Sequence, residues 1–189
     1  MLVARMFNPQ KGQKILDLCA SPGGKTTHLA ELMHNNGEIF ACDIHSHKLN
    51  LINENAQNLG ISIIRTLLND ATILNENFVD KFDGVLVDVP CSGLGVLRRR
   101  AELRWRRDRE NLKIFPPLQK TILETASKYV KKNGTLLYST CTIEQSENHY
   151  VVEDFLTKHP EYILQEERQL LPHIEHVDGF YMAKMQRIK

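Results

Sequence analysis

The stretch Ile15-Leu16-Asp17-Leu18-Cys19-Ala20-Ser21-Pro22-Gly23-Gly24-Lys25-Thr26-Thr27 decides how the rest of the chain is read. A short apolar run gives way to small residues and two glycines, and a helical pattern begins at once. That order spells a buried strand, a tight turn and a helix start. Backbone N–H groups in a helix's first turn have no partner within the helix and can face a ligand. Gly23 and Gly24 carry no Cβ, so a ligand can approach the backbone closely there. Two phosphate-binding loops do not fit. The G-x-x-x-x-G-K-[ST] pattern needs a glycine five residues before Gly24, where Cys19 stands. The dinucleotide pattern G-x-G-x-x-G is absent as well.

Outward from this loop, strands and helices alternate. Lys14 to Ala20 reads as a strand and Lys25 to His34 as a helix, stopped by Asn35-Asn36-Gly37. Met1 to Gln13 reads as a lead-in loop punctuated by Pro9 and Gly12. Glu38 to Ile44 is a second strand. Ser46 is placed to cap a helix that runs to Leu59 and ends at Gly60. Ile61 to Leu68 is a β-branched run, and Phe82 to Val89 a strongly apolar strand closed by Pro90. A polar loop leads to a helix from about Pro116 to Lys131. Gly134 to Cys141 is a fifth strand, and Glu144 to His159 a further helix. Tyr162 to Glu166 and Gly179 to Gln186 read as two late strands. Near-continuous apolar strands between helices predict a mostly parallel sheet with helices on both faces.

Ligands of such sheets bind at the carboxyl ends of the strands. Asp43 ends the second strand, Asp70 follows the third, Asp88 and Cys91 close the fourth, and Cys141 closes the fifth. Chance placement would not put all of them on one rim. Asp43, about 20 residues beyond the glycine loop, suits a ribose, and equally a helix-capping aspartate. Asp70 lies where an adenine amino group would sit in this fold, and also where Asx turns are common.

Composition narrows the function classes. With 189 residues the chain can bury a sizeable core as one catalytic domain, 1–189, without disulfides. The formal net charge of +1 gives no global attraction for nucleic acid, so any basic footprint must be local. No apolar segment reaches membrane-spanning length, and no signal peptide is visible. Cys19, Cys42, Cys91 and Cys141 are scattered without C-x-x-C or Cys/His ligand spacing, which argues against zinc. They read as reduced thiols of a cytoplasmic protein, each by itself a small core residue in the blandest case. Nothing marks an obligate protein partner.

Two motifs present thiols differently. In Asp88-Val89-Pro90-Cys91-Ser92-Gly93 the proline fixes the backbone beyond a strand and the glycine permits a turn. In Tyr138-Ser139-Thr140-Cys141-Thr142 a second thiol stands where the fifth strand ends. Two such thiols beside an apparent cofactor loop favour chemistry over packing.

Taken together, D-L-C-A-S-P-G-G-K-T-T-H, D-V-P-C-S-G, Y-S-T-C-T-I-x-x-x-E-N and D-G-F-Y-M-A-K resemble the ordered motifs of the Sun/Fmu family of ribosomal RNA cytosine-5 methyltransferases. The resemblance runs from about Gly12 to Lys189 and is strongest to bacterial enzymes acting on 16S ribosomal RNA. It implies a Rossmann-like, class I methyltransferase fold with a seven-stranded sheet, dependent on S-adenosylmethionine (SAM). It further implies that Cys19, Ala20, Ser21, Pro22, Gly23, Gly24 and Lys25 wrap the methionine and ribose of SAM, with Asp43, Asp70 and Asp88 also toward the cofactor. Ser21 stands where the family usually has alanine.

The resemblance assigns the nucleophile to Cys141 and product release to Cys91. Carbon 5 of cytosine is too weak a nucleophile to take the methyl directly. A thiolate added at carbon 6 makes the ring enamine-like, and carbon 5 can then attack. Asp88 would hydrogen-bond the cytosine edge. DNA cytosine methyltransferases use the Pro-Cys cysteine as nucleophile, so the reverse assignment stays open.

Arg98, Arg99, Arg100, Arg104, Arg106, Arg107 and Arg109 crowd into twelve positions with Trp105 among them. A charge run is often just a solvated face. Following the Pro-Cys motif directly, these arginines are expected to hold RNA phosphates. Trp105 fits either a stacking platform for a base or a packing anchor. The family also carries an RNA-binding region ahead of the catalytic core, so these residues are expected to be the catalytic portion of a longer protein. The competing readings are a catalytically silent SAM- or RNA-binding module in ribosome assembly, a nucleotide hydrolase, and a methyltransferase acting on transfer RNA.

Overall fold

The computed structural model describes residues 2–106 and 108–189, without the side chains of Arg109 and Asn111. Seven strands form one sheet: β1 (Lys14–Asp17), β2 (Glu38–Asp43), β3 (Ile64–Leu68), β4 (Phe82–Asp88), β5 (Val130–Thr140), β6 (Tyr162–Leu170) and β7 (Phe180–Arg187). Their order is β3-β2-β1-β4-β5-β7-β6. The first five pair in parallel, and β7 enters antiparallel between β5 and β6.

Period-two alternation divides the strand residues between two cores. Ile15, Ile39, Leu86, Leu137 and Met182 face one side, where they meet Val3, Phe7, Leu29 and Met33. Leu16, Val85, Val87, Leu136, Tyr138 and Ala183 face the other, against Ile122, Leu123, Val151 and Phe155. Helices α1 (Leu2–Phe7), α2 (Gly24–Leu32) and α3 (Ser46–Asn58) cover the first face. Two single-turn helices, α4 (Leu103–Arg106) and α5 (Arg109–Leu112), lead into α6 (Phe115–Ser127). Helix α6 covers the second face with α7 (His149–Lys158), and α8 (Pro172–Glu175) sits between the last two strands in sequence. Both faces of the sheet are therefore sealed, and ligand access is left to its ends.

Four local expectations are corrected. The lead-in contains α1, whose Phe7 lies over Gly84; a Cβ at that glycine would come 2.4 Å from the ring. Ser46 is the first residue of α3 rather than its cap; His45 occupies the cap position and makes no side-chain capping bond. Helix α6 ends at Ser127 and β5 begins at Val130, with Asn133 left-handed at φ 65°. Residues 145–148 form turns instead of the start of α7, because Glu147 and Asn148 point inward, Glu147 accepting from Gln119 on α6 and Asn148 from Thr140 at the end of β5.

Candidate active site

The loop after β1 is held in place from several sides. Ala20 donates its N–H to the Cys42 carbonyl at 2.8 Å, and Gly23 donates back to Ala20 at 2.7 Å. Gly23 is left-handed at φ 101°, and a Cβ there would press within 3.3 Å of Ile52 on α3. Asn55 donates to the Pro22 carbonyl at 2.8 Å. The Ser21–Pro22 peptide is cis. No side chain caps α2. Beneath the loop, Thr26 donates its hydroxyl to Asp17 Oδ2 at 2.7 Å, tying α2 to the end of β1. Burial pushes the Asp17 carboxyl up to about 7, reinforced by the nearby Asp88 charge and opposed by Thr26 and Lys25.

Beside this loop lies a cavity of about 340 Å³ walled by Cys19, Asp43, Asp70, Pro90 and Ile122. Asp43 accepts the His45 N–H at 2.9 Å, and Lys48 stands 3.7 Å away. Asp70 makes an Asx turn, accepting both the N–H and hydroxyl of Thr72 on Oδ1 at 2.9 and 2.6 Å. Burial holds the Cys19 thiol well up, so it contributes a neutral wall. Cys42 is the inert core thiol, fully buried and pushed up to about 12. The glycine turn and the uncapped helix start suit a ligand carboxylate, and the flanking Asp43 and Asp70 suit hydroxyl and amino donors, groups that SAM carries.

The thiols meet on the other side of the loop. Cys91 Sγ and Cys141 Sγ are 3.2 Å apart. Cys141 lines a second cavity, about 430 Å³, with Lys25, Val96, Arg99, Asp178 and Phe180. Lys25 Nζ is 2.6 Å from Asp88 Oδ2, and the Ser139 hydroxyl donates to Asp88 Oδ1 at 2.7 Å. The Cys91 S–H and the Lys25 ammonium draw the Cys141 thiol down, against burial and the Asp88 charge. The same hydrogen bond and burial push Cys91 up. The shared hydrogen bond and Lys25 thus favour ionisation at Cys141 over Cys91. A larger cavity, about 680 Å³, lies between α2 and the end of α3 and touches neither thiol.

The segment that follows the cavity-lining Val96 is basic, and its Arg99 lines the cavity too. Arg98, Arg99, Arg100, Arg104 and Arg106 all reach solvent. Arg99 pairs with Asp178 at 2.8 Å and Arg100 with Glu102 at 3.2 Å. Trp105 is 90% exposed, which removes the packing-anchor reading. Arg107 and the Arg109 side chain lie outside the described residues. Gly95 closes the wall: its N–H donates to the Cys141 carbonyl at 3.0 Å, and its carbonyl accepts from Gly179 at 2.8 Å.

The comparisons with known proteins agree with this geometry. The family model described as 16S rRNA methyltransferase RsmB/F matches residues 4–186. The chain belongs to the RsmB/F family. It is 39% identical to a protein named probable ribosomal RNA small subunit methyltransferase B from Bacillus subtilis, covering 99% of this chain and 46% of that one. To the ribosomal RNA small subunit methyltransferase B of Yersinia pestis it is 37% identical, over 95% and 43%. The chain therefore spans under half the length of these curated relatives. Among solved structures, PH0851 superposes with a TM-score of 0.95 at 34% identity, over 98% of this chain and 45% of that one. NSun6 from Pyrococcus horikoshii, solved with SFG, gives 0.89 at 31% identity, over 100% and 51%. The Sun/Fmu resemblance and the Rossmann-like SAM-dependent methyltransferase fold are both borne out. The motifs read from the sequence hold Lys25, Asp88, Cys91 and Cys141. They leave Gln119 and Gly95 as participants that no spacing in the sequence announces.

Proposed function

We propose that this chain transfers a methyl group from SAM to carbon 5 of a cytosine in RNA, with 16S ribosomal RNA in the cytoplasm as the leading substrate. The observation that carries the reading is the Cys91–Cys141 contact of 3.2 Å beside Lys25 and Asp88. Loop residues Cys19 to Lys25 would hold SAM, with its ribose toward Asp43 and its adenine toward Asp70. SAM supplies an activated methyl carried on a sulfonium.

Cys141, in the thiolate form that Lys25 favours, adds to carbon 6 of the cytosine and moves ring electrons toward carbon 5. Each oxygen of Asp88 can accept two hydrogen bonds. Lys25 and Ser139 therefore leave it room to take the cytosine amino group and favour ring protonation. Carbon 5 then forms its bond to the methyl. Cys91 gives its proton to the ring as Cys141 bonds to carbon 6, then as a thiolate takes the proton from carbon 5. The electrons released re-form the 5,6 double bond and expel the Cys141 thiolate, and the ring proton passes to water. The basic segment would hold phosphates, and Trp105 offers a face for a base displaced from its helix.

The test is to incubate the chain with labelled SAM and unmodified 16S RNA beside its Cys141→Ala and Cys91→Ala variants. Cys141→Ala should incorporate no methyl, and Cys91→Ala should accumulate a covalent RNA adduct. An adduct in Cys141→Ala instead would reverse the two roles. Methylation that survives in Cys141→Ala would end the covalent reading.

A further inference from the structure

Cys91 is gripped from both sides by two buried side chains that do not touch its sulfur. Gln119 is fully buried on α6 and donates from Nε2 to the Pro90 carbonyl at 3.0 Å. The same Nε2 donates to Glu147 Oε2 at 2.9 Å. That Glu147 oxygen, on a residue 1% exposed, also accepts the Ser92 N–H at 2.9 Å. The peptide groups before and after Cys91 are therefore closed into one ring through Gln119 and Glu147. Glu147 is itself fixed, because its carbonyl accepts the Tyr138 hydroxyl from β5 at 2.6 Å. Ser92 Oγ lies 2.8 Å from Thr142 Oγ1, linking the residue after one cysteine to the residue after the other.

From this arrangement we infer that Gln119 and Glu147 are positioning residues, which set the Cys91 sulfur against Cys141 and so time the release step. The inference rests on the reaction proposed above for its catalytic meaning, but the placement itself can be tested without RNA. A buried carboxylate is costly unless it is well bonded. A surface loop would not need one merely to turn a corner, since Pro90 and Gly93 already do that. The ring supplies what those residues cannot: a fixed distance from a loop to a strand end.

The experiment uses the whole chain and diamide, an azo oxidant that takes up the two thiol hydrogens to become a hydrazine as the sulfurs join. Disulfide formation is followed by a mass loss of about 2 Da and normalised to the alkylation rate of Cys141. Gln119→Met keeps the length of the side chain and removes both donations; it should slow closure roughly tenfold, the size of one missing buried hydrogen bond. Glu147→Gln, which sets an amide against an amide, is the second variant. Tyr162→Phe is the control, since it loses the 2.6 Å bond to the Ser127 carbonyl at the far end of α6. It should leave closure unchanged. With RNA and SAM, Gln119→Met should accumulate the same adduct as Cys91→Ala. Unchanged closure in both ring variants, or an equal loss in Tyr162→Phe, would overturn the positioning role. Slow closure with no adduct in either Gln119→Met or Cys91→Ala would instead overturn the assignment of release to Cys91.

Discussion

Lys25 Nζ and Asp88 Oδ2 are 2.6 Å apart, and this ion pair joins the loop after β1 to the end of β4. It places one positive charge in the wall of the cavity that Cys141 lines. Lys25→Met removes the charge that draws the Cys141 thiol down and leaves Asp88 to oppose its ionisation. The pH profile of Cys141 alkylation by iodoacetamide should therefore move to higher pH, with the rate at neutral pH falling severalfold. An unmoved profile would mean that Cys91 alone polarises the pair.

Asp17 should make the fold less stable as pH rises. Its folded carboxyl titrates at about 7 against an unfolded value of 3.8. The folded state binds more protons between those values. Stability is thus highest below pH 3.8 for this group, falls across the window and levels off above about 7. Asp17→Asn keeps an acceptor for Thr26 and cannot ionise. Urea midpoints measured at about pH 5 and pH 8 should differ less in this variant than in the parent.

His159 shifts in the same direction for a different reason. Burial opposes its charge, but Glu161 and Glu124, at 2.9 and 2.6 Å, outweigh it and raise the folded value. The stabilisation is fully present below the unfolded histidine value of about 6.5 and fades as pH climbs through the raised folded value. His159→Phe retains a ring to stack on Phe155 and should lose stability near pH 6 but little near pH 9. Thermal melts at the two pH values decide it.

Gly95→Ala should destabilise the chain by about 1–3 kcal/mol, as overpacking does. A Cβ there would come 2.0 Å from the Gly179 carbonyl oxygen and 2.8 Å from that of Cys141, both of them backbone atoms. Because the displaced backbone carries Cys141, activity should fall further than the urea midpoint accounts for.

The arginine segment should control RNA affinity without touching the fold. Replacing Arg98, Arg100 or Arg104 by alanine should weaken binding and flatten its salt dependence, by about 0.7 in the slope for each single-strand phosphate no longer neutralised. Trp105→Ala should weaken binding while leaving the melting temperature in place, since the ring is 90% exposed. Filter binding across a salt series measures both.

Much of this molecule is readable along the chain because its site sits at strand ends. Near-continuous apolar runs located β1, β2, β4 and β5; the first three end in Asp17, Asp43 and Asp88, and Cys141 follows the last. What escaped the sequence was held by distant contacts. Helix α1 is six residues long and stands by packing Val3 and Phe7 on the sheet, an arrangement that its own propensity does not reveal. Strand β6 reaches Leu170 through Gln165, Glu166, Glu167 and Arg168, exposed residues whose polarity hides a strand. Glu147 reads locally as a helix-start acid, yet it turns inward to a loop 55 residues away. Gln119 gave no signal, since an amide within an amphipathic helix has no spacing to betray it.

The late entry of β7 has a consequence for a newly made chain. Strand β6 joins the sheet only through β7, so it has no place in the sheet until β7 has paired with β5. The two strands bring Asp178, Gly179 and Phe180, which wall the cavity at Cys141. A chain that stopped before β7 would leave β5 an outer strand, and the cavity that Cys141 lines would lack its Asp178 and Phe180 wall.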